Sequence, residues 1–196
     1  MDIKVFTSQQ LHIQTPALQD EIAAICTLST VRRGALILQA GQPQAELFFL
    51  CEGLVRCFTT GTGRRDFTDS FLSEPGEVLL GCLDLVSPAQ FSFQAMEDCI
   101  LLAAPMPFVH SAMSRYPEAA QAYAQLVPKI LRRSWNMKRI LQHGSSRARY
   151  EWFLREYPTL QGRIPQKHIS SFLGTTPENL SRLRAEVKAH HPSAKE

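Results

Sequence analysis

Near the end of the chain, residues 174–184 read GTTPENLSRLR and bring together side chains that form directed hydrogen bonds. At about 100° per residue, Glu178, Ser181 and Arg182 share one face of a helix. The opposite face is apolar and carries Leu180, Leu183 and Val187. A carboxylate accepts hydrogen bonds, a hydroxyl donates and accepts them, and a guanidinium donates two in parallel to one planar group. Because the apolar face must be buried, we expect the polar face to point outward, toward a hydrogen-bonding partner.

The start of this helix carries two signals, and the sequence leaves both open. Thr176 can cap the helix with Pro177 as its first residue, or Thr175 can form a capping box with Glu178 three residues later. Gly174 is expected as the left-handed end of a preceding helix.

That preceding short helix is predicted from Gln166 to Leu173, with Ser170 as a small residue within it. Its apolar face is formed by Ile169, Phe172 and Leu173. Two short helices joined by a turn of about three residues are the helix-turn-helix pattern, whose second helix lies in the major groove of DNA. Arg182 could then donate to guanine and Glu178 could accept from cytosine. The alternative is that these two residues, one helical turn apart, simply pair with each other.

Charge is unevenly distributed along the chain, whose net charge is +3. Residues 1–128 hold 7 basic and 13 acidic residues, a net of −6, whereas residues 129–196 hold 14 basic and 5 acidic residues, a net of +9. A positive surplus around the two short helices favours contact with phosphates over simple solvation of the surface. The acidic and basic parts predict two domains with different partners.

Length and composition describe an ordinary globular protein of 196 residues, 44% hydrophobic and 20% charged. No apolar run reaches the roughly 18 residues that a membrane span needs, and the first residues lack the pattern of a secretory signal. We therefore expect a cytoplasmic protein with no membrane partner. The five cysteines show no CxxC spacing and an odd number, so they predict buried thiols rather than disulfides or a zinc site.

Short apolar runs broken by turn residues dominate the chain from Arg33 to Pro105, after a short helix that begins at Pro16. Strands at a spacing of about 8 to 12 residues predict an antiparallel sandwich or barrel, with LFFLCEGLVRCF as a hairpin. Between Val31 and Pro105 there is no histidine, the usual ligand in metal-dependent barrels and the usual base of a catalytic triad. We expect neither an enzyme nor a metal site.

A long helix is predicted from Pro117 to Leu141, followed by a stop at Gly144 and a possible kink at Pro128. Its apolar residues recur about every 3.5 residues, the period of a helix packed lengthwise on a partner. Self-association is the favoured interpretation, and packing of the helix on its own barrel is the alternative. The predicted dimer contacts are Tyr123, Val127, Ile130, Ser134, Met137 and Leu141.

These elements together resemble the Crp/Fnr family of bacterial transcription regulators. The most specific part is IPQKHISSFLGTTPENLSRLR, which is similar to the motif I-A-x-x-L-G-[IV]-T-P-E-x-L-S-R of one subgroup. The resemblance implies an α+β fold with an antiparallel β-roll of the cyclic nucleotide-binding type in residues 1–116. A dimerisation helix in 117–142 and a helix-turn-helix DNA-binding domain in 143–196 would follow. After Lys188 only AHHPSAKE remains, so the usual wing is expected to be reduced or absent.

By the same resemblance, the candidate DNA contacts lie on the two short helices. Glu178 and Arg182 map to base contacts, and Ser181 and Thr176 map to positions near phosphate. The full set is Thr176, Glu178, Asn179, Ser181, Arg182 and Lys167. Pro177 stands where cyclic-AMP-responsive members have their first base-reading arginine, which predicts a different target sequence.

The ligand cassette departs from that of relatives that bind cyclic nucleotides. Those relatives hold the ribose with a Gly-Glu pair and the phosphate with an Arg, where this chain has LGCL at 80–83 and then Ala89 or Gln90. No Lys or Arg occurs between Asp66 and Ser114, and burying a phosphate without a cation is costly. We therefore expect no cyclic nucleotide, and a cavity that is empty or holds a more apolar effector. The candidate pocket residues are Leu80, Gly81, Cys82, Leu83, Gln90, Phe91 and Ser92.

The sequence thus predicts a homodimeric regulator that reads a palindromic site in double-stranded DNA, with no certain cofactor and with RNA polymerase as a further candidate partner. The alternative is a ligand-sensing or protein-interaction module of the same fold that does not bind DNA.

Overall fold

The computed structural model describes residues 1–61, 63 and 66–190, with side chains as far as Val187. By their contacts, the residues divide into two compact units. The first contains residues 1–59 and 69–130, and the second contains residues 60–68 and 131–196. Among the described helices, none combines the length and the apolar composition needed to cross a membrane.

Strands fill the middle of the chain, and helices lie toward both of its ends. The strands are β1 Thr27–Val31, β2 Leu36–Leu38, β3 Glu46–Glu52, β4 Val55–Thr60, β5 Asp66–Leu72, β6 Val78–Leu79, β7 Ser92–Ala95 and β8 Cys99–Pro105. The helices are α1 Ile3–Gln10, α2 Pro16–Ile25, α3 Met106–Arg115, α4 Pro117–His143, α5 Ser146–Glu156, α6 Gln166–Phe172 and α7 Pro177–His190. A short 3-10 turn, Pro158–Leu160, follows α5.

The strands form two four-stranded sheets, in the orders β1-β8-β3-β6 and β2-β7-β4-β5. The ladders are antiparallel, with Leu28 opposite Leu102 and Cys57 opposite Phe93 as examples. Side chains alternate between the two faces of each strand, and those between the sheets form a buried core that includes Leu50. The predicted antiparallel β-roll within an α+β fold is confirmed.

The hairpin predicted for LFFLCEGLVRCF is wrong, because β3 and β4 belong to different sheets. β3 pairs with β6 and β8, whereas β4 pairs with β7. Gly53 lies between the two strands with φ at +111°, and a Cβ there would lie 2.6 Å from Cys99 Sγ. Glycine therefore allows a tight crossing from one sheet to the other. An apolar run interrupted by one glycine is expected both for a hairpin and for a crossing between two sheets, so the sequence does not distinguish them.

The outer face of the first sheet is covered by helices. Phe6 of α1, Leu18 of α2 and Ala112 of α3 pack with Leu102 and Ala104 of β8 in one buried cluster. Helix α1 is absent from the sequence prediction. Its signal is a single capping residue, Asp2, whose carboxylate accepts hydrogen bonds from two backbone N–H groups of the first turn.

All five cysteines are free and buried, as the sequence predicts. Burial raises the pKa of the Cys26 and Cys51 thiols to about 11. Thiols of this kind stay protonated at neutral pH and are poor nucleophiles. In the described part of the chain, no group of three or more His, Cys, Asp or Glu side chains is arranged to hold a metal ion.

Helix α4 runs without interruption through Pro128 and slightly beyond the predicted end. Gly144 stops it, donating its N–H to the carbonyl of Ile140 at 2.9 Å. Ser145 begins α5 by accepting a hydrogen bond from the N–H of Ala148 at 3.2 Å. The chain therefore changes from one helix to the next within about two residues, which leaves little freedom at this joint.

The second unit has an aromatic core. Phe153 of α5 and Phe172 of α6 are buried with ring centroids 6.0 Å apart, and Tyr157 lies 5.7 Å from Phe172. Arg133, in the last part of α4, donates to the Tyr157 hydroxyl at 2.9 Å. Leu180 of α7 is fully buried, so the apolar face predicted for α7 is packed. The expected absence of a wing concerns residues 191–196, which lie outside the described residues.

Glu21 of α2 forms an ion pair at the end of α3. Its carboxylate accepts hydrogen bonds from the Arg115 guanidinium at 2.7 and 2.5 Å and from the Tyr116 hydroxyl at 2.8 Å. Arg115, and after it Tyr116, lower the pKa of Glu21 to about 2. A carboxyl group with a lowered pKa stabilises the fold above its unfolded pKa, and this stabilisation is lost as the pH falls through the folded pKa.

We predict that Glu21→Gln lowers the midpoint of thermal unfolding at neutral pH, and that its gap to the wild type closes as the pH falls from 4.5 to about 2. Circular dichroism melts at a series of pH values would measure both proteins. Glu52→Gln, at an exposed glutamate, serves as the control and should follow the wild type. A gap that stays constant across this range would contradict the role of the ion pair.

Candidate nucleic-acid interface

The turn between α6 and α7 ends one helix and begins the next. Gly174 has φ at +59°, as predicted for the left-handed end of α6. The Thr176 hydroxyl accepts a hydrogen bond from Asn179 N at 3.2 Å, and the Thr176 carbonyl accepts one from Leu180 N at 2.9 Å. Of the two predicted starts, Thr176 followed by Pro177 at the first helical position is the one used.

A series of side-chain hydrogen bonds runs along the first two turns of α7. Asn179 Nδ2 donates to Thr175 Oγ1 at 2.7 Å, and Asn179 Oδ1 accepts from Arg182 Nη2 at 2.9 Å. Arg182 Nη1 also lies 3.8 Å from a Glu186 carboxylate oxygen. The guanidinium is thus oriented by Asn179 and Glu186, whereas the pairing considered from the sequence was with Glu178.

Most of the candidate DNA contacts lie on an open surface. Exposed side chains belong to Thr176, Glu178, Ser181, Arg182 and Lys167, and Asn179 is half-buried. Hydrogen bonds from its own backbone N–H and then from the Thr176 hydroxyl lower the pKa of Glu178, so this carboxylate is ionised at neutral pH. The face therefore offers one anionic acceptor, one forked cationic donor and two hydroxyls.

Arg149 of α5 fixes the turn that precedes this face. Its Nη1 atom donates to the carbonyl oxygens of Leu173 and Gly174 at 3.1 and 3.3 Å, and its Nε atom donates to the Gly144 carbonyl at 2.9 Å. The last carbonyls of a helix have no partner within the helix, and a cation there is favourable. The sequence analysis missed Arg149, because its acceptors are backbone atoms that leave no residue-type signal.

Around Gly81, the candidate effector region of the β-roll is held by hydrogen bonds within the protein. The Gly81 N–H donates to Gln44 Oε1 at 2.8 Å, and Gln44 Nε2 donates to the Leu79 and Glu46 carbonyls at 2.9 and 3.0 Å. A Cβ at Gly81 would lie 2.7 Å from the Ala89 Cβ. The side-chain amide of Gln44 therefore pairs with backbone groups next to residues 80–83. The sequence analysis did not identify Gln44.

The remaining pocket candidates are divided between interior and surface. Buried positions are held by Leu80, Gly81, Cys82 and Ser92, while Phe91 is half-buried and Leu83 and Gln90 are exposed. The Ser92 hydroxyl accepts a hydrogen bond from Ala40 N at 3.0 Å. The Leu83 carbonyl accepts one from the Tyr123 hydroxyl of α4. Both contacts are made within the protein, and the second one connects residues 80–83 to the long helix.

Strand β4 carries a buried arginine beside the core between the two sheets. Arg56 of β4 is buried, and its guanidinium carbon lies 4.3 Å from the centroid of the Phe58 ring. Its neighbours Val55 and Cys57 belong to the core between the sheets. Because side chains alternate along a strand, Arg56 points away from the core between the two sheets.

The predicted dimer stripe lies on a helix that has no buried residue, although all 27 of its residues are described. Five of the six candidates are half-buried and Ser134 is exposed: Tyr123, Val127, Ile130, Ser134, Met137 and Leu141. Tyr123 and Ile130 also pack on a small cluster of the first unit. The stripe is therefore partly covered by the chain itself.

The chain thus consists of a β-roll followed by a long helix and a helix-turn-helix pair. Residues 28–116 match the family model of the cyclic nucleotide-binding domain. The sequence matches no curated protein.

Similar solved structures include FixK2 from Bradyrhizobium japonicum, with a TM-score of 0.76 and 18% identity over 85% of this chain and 86% of that one. CLP from Xanthomonas campestris, described as a c-di-GMP-responsive global regulator, has a TM-score of 0.74 and 14% identity over 90% and 93% of the two chains. A protein from Eubacterium rectale assigned as a Crp/Fnr-family regulator has a TM-score of 0.73 and 16% identity over 91% and 85%. The chain thus has the Crp/Fnr fold, which confirms the resemblance.

We predict that Arg149→Met, which keeps the apolar stem and removes the donors, lowers the free energy of unfolding by about 1 to 2 kcal/mol. Amide hydrogen exchange should accelerate in the turn after Gly174, because the carbonyls of this turn lose their partner. Arg155→Met, at an exposed arginine of the same helix, is the matched control. Denaturant unfolding and exchange rates equal to those of the control would show that Arg149 does not hold the turn.

Proposed function

We propose that this protein is a homodimeric transcription regulator that reads a palindromic DNA site with the first two turns of α7. It would act in the cytoplasm, without catalysis, by changing the access of RNA polymerase to a promoter. The observation that carries the proposal is the exposed polar face of α7 behind a turn that Arg149 fixes. A recognition helix needs both properties, because base contacts require reach and a defined orientation.

The chemistry of the face suggests which groups read bases. Arg182 can donate in parallel to the O6 and N7 atoms of guanine, and the ionised Glu178 can accept from the N4 amino group of cytosine. Asn179 orients Arg182 through a hydrogen bond of 2.9 Å, which lowers the entropy lost when the guanidinium binds a base. Ser181 and Thr176 are suited to phosphate oxygens at the edge of the groove.

The charge of the basic part supports the same proposal. The net charge of +9 in residues 129–196 provides the electrostatic attraction that nonspecific DNA binding requires. Lys167, exposed on α6, is placed on the helix that crosses the backbone in helix-turn-helix complexes. We assign it to a phosphate contact, which adds affinity without sequence preference.

The dimer part of the proposal rests on helix α4. A helix of 27 residues without a buried side chain exposes apolar surface that a second copy can cover. Two copies related by a twofold axis would present two recognition helices to half-sites about one DNA turn apart. An effector other than a cyclic nucleotide would act by changing the geometry of this helix pair.

For DNA recognition, we predict that Arg182→Ala relaxes base preference at one position of each half-site and weakens binding to the selected site by about 1 to 3 kcal/mol. Selection from random duplex DNA, followed by gel-shift titration, measures both effects. Lys167→Ala is the contrast: it should weaken binding to all sequences alike and reduce the salt slope by about 1. Failure of the wild-type protein to enrich any palindrome would favour a module that does not bind DNA.

For self-association, we predict that Met137→Glu raises the dimer dissociation constant at least about tenfold, since an unpaired carboxylate would be buried in the interface. Asn136→Glu introduces the same charge on an exposed position of the same helix and should leave the dimer intact. Sedimentation equilibrium measures both variants. A wild-type chain that stays monomeric at micromolar concentration would refute the dimer.

A further inference from the structure

A cavity of about 470 Å³ lies in the first unit, on the outer side of the first sheet. Its walls come from α2, β3, β8, α3 and the first half of α4, with Ile22, Phe49, Val109 and Leu126 among the apolar residues that line it. The volume is within the range of sites for small organic molecules, which are mostly apolar with a few polar groups.

This cavity is separate from the interior of the β-roll. Its lining shares no residue with the core between the two sheets, nor with the candidate effector residues at 80–83 and 90–92. On α4, Tyr123 belongs both to the cavity lining and to the predicted dimer stripe, whereas the lining residues Ala122, Gln125 and Lys129 lie roughly a third of a turn around the helix from that stripe. A ligand could therefore occupy the cavity while a partner helix covers the stripe.

The charged groups at the cavity lie at opposite ends of its α4 wall. Glu118 is already engaged, because its carboxylate accepts hydrogen bonds from the backbone N–H groups of Gln14 and Thr15 at 2.7 and 3.0 Å. Lys129 follows about 16 Å further along the helix, and it is the only lysine or arginine among the described lining residues. An acidic group would therefore be attracted to the Lys129 end and repelled from the Glu118 end.

We infer that this cavity is a binding site for a small amphipathic carboxylic acid, with its hydrocarbon chain between α2, α3 and the sheet and its carboxylate paired with Lys129. Burial of the ligand's hydrocarbon chain against the apolar walls releases water and favours binding. The positive charge of Lys129 favours a ligand with a negatively charged head group over a neutral or positive one. The site provides an effector position that needs no phosphate-binding cassette.

The position of the cavity gives an occupant access to the long helix. Glu118 ties the segment before α2 to the first turn of α4, and Tyr123 lines the cavity while donating to the Leu83 carbonyl. An occupant thus contacts groups that hold the start of α4 against the β-roll. Binding to the site does not depend on the proposed DNA recognition.

The test is titration calorimetry of the full-length protein with decanoate, with decanol as the neutral probe of equal chain length and decylamine as the cationic one. We expect one decanoate per chain, weaker binding of decanol and the weakest binding of decylamine. Lys129→Met should weaken decanoate binding about three- to tenfold, as for a partly exposed charged contact, and leave decanol binding unchanged. Lys138→Met removes the same charge from α4 outside the cavity and should bind like the wild type.

A second pair of variants tests the location. Ala122→Phe fills the cavity from α4 and should abolish binding of both decanoate and decanol, whereas Ala124→Phe, on an exposed position of the same helix, should bind as the wild type does. Thermal melts check that both variants fold. Binding that survives in a folded Ala122→Phe protein, equal affinity for the three probes, or no binding of decanoate to the wild type would each overturn the inference. Gel-shift assays of the same variants report DNA binding separately.

Discussion

Helix α4 is the constraint on which the other parts depend. It extends about 40 Å, contributes its first residues to the first unit and its last residues to the second, and is described in full without a buried side chain. A helix of this kind gains little from its own propensity in water, so its stability must come from contacts along its sides. The first unit supplies some of these near Tyr123 and Ile130, and the second supplies others near Arg133. The exposed apolar remainder is the physical reason to propose a partner helix.

In each unit, one side chain fixes an irregular backbone segment by hydrogen bonds. In the β-roll, the side-chain amide of Gln44 accepts a hydrogen bond from the backbone N–H of Gly81 and so fixes the segment that begins at Leu80. In the second unit, Arg149 takes the carbonyls at the end of α6, and the recognition helix begins from a fixed point. Both devices use side chains to pair backbone groups at irregular segments. In the second unit, the consequence is a fixed start for α7, where Asn179 orients Arg182.

The sequence predicted the features that depend on periodicity and on helix signals. The strand-rich middle, the long helix and the left-handed Gly174 all follow from local residue types, and the cap at Thr176 was one of two helix starts that those types allowed. It did not predict α1, whose signal is one aspartate, and it paired β3 with β4, because strand partners depend on contacts distant in sequence. At the site, the outward face of α7 was predictable, whereas Arg149, Gln44 and the link from Thr175 through Asn179 to Arg182 were not. Each of these contacts depends on tertiary placement rather than on spacing.

The side chain of Tyr123 takes part in three different features of the structure. Its ring lines the outer cavity, its position belongs to the proposed dimer stripe, and its hydroxyl holds the Leu83 carbonyl. Phenylalanine would satisfy the first two demands and fail the third, while a small polar residue would satisfy none. Substitutions here should be pleiotropic, and their effects should not add to those of changes at the neighbouring sites. A change of residue type at Tyr123 would therefore have to be matched by changes around it, both at Leu83 and on the proposed dimer face of α4.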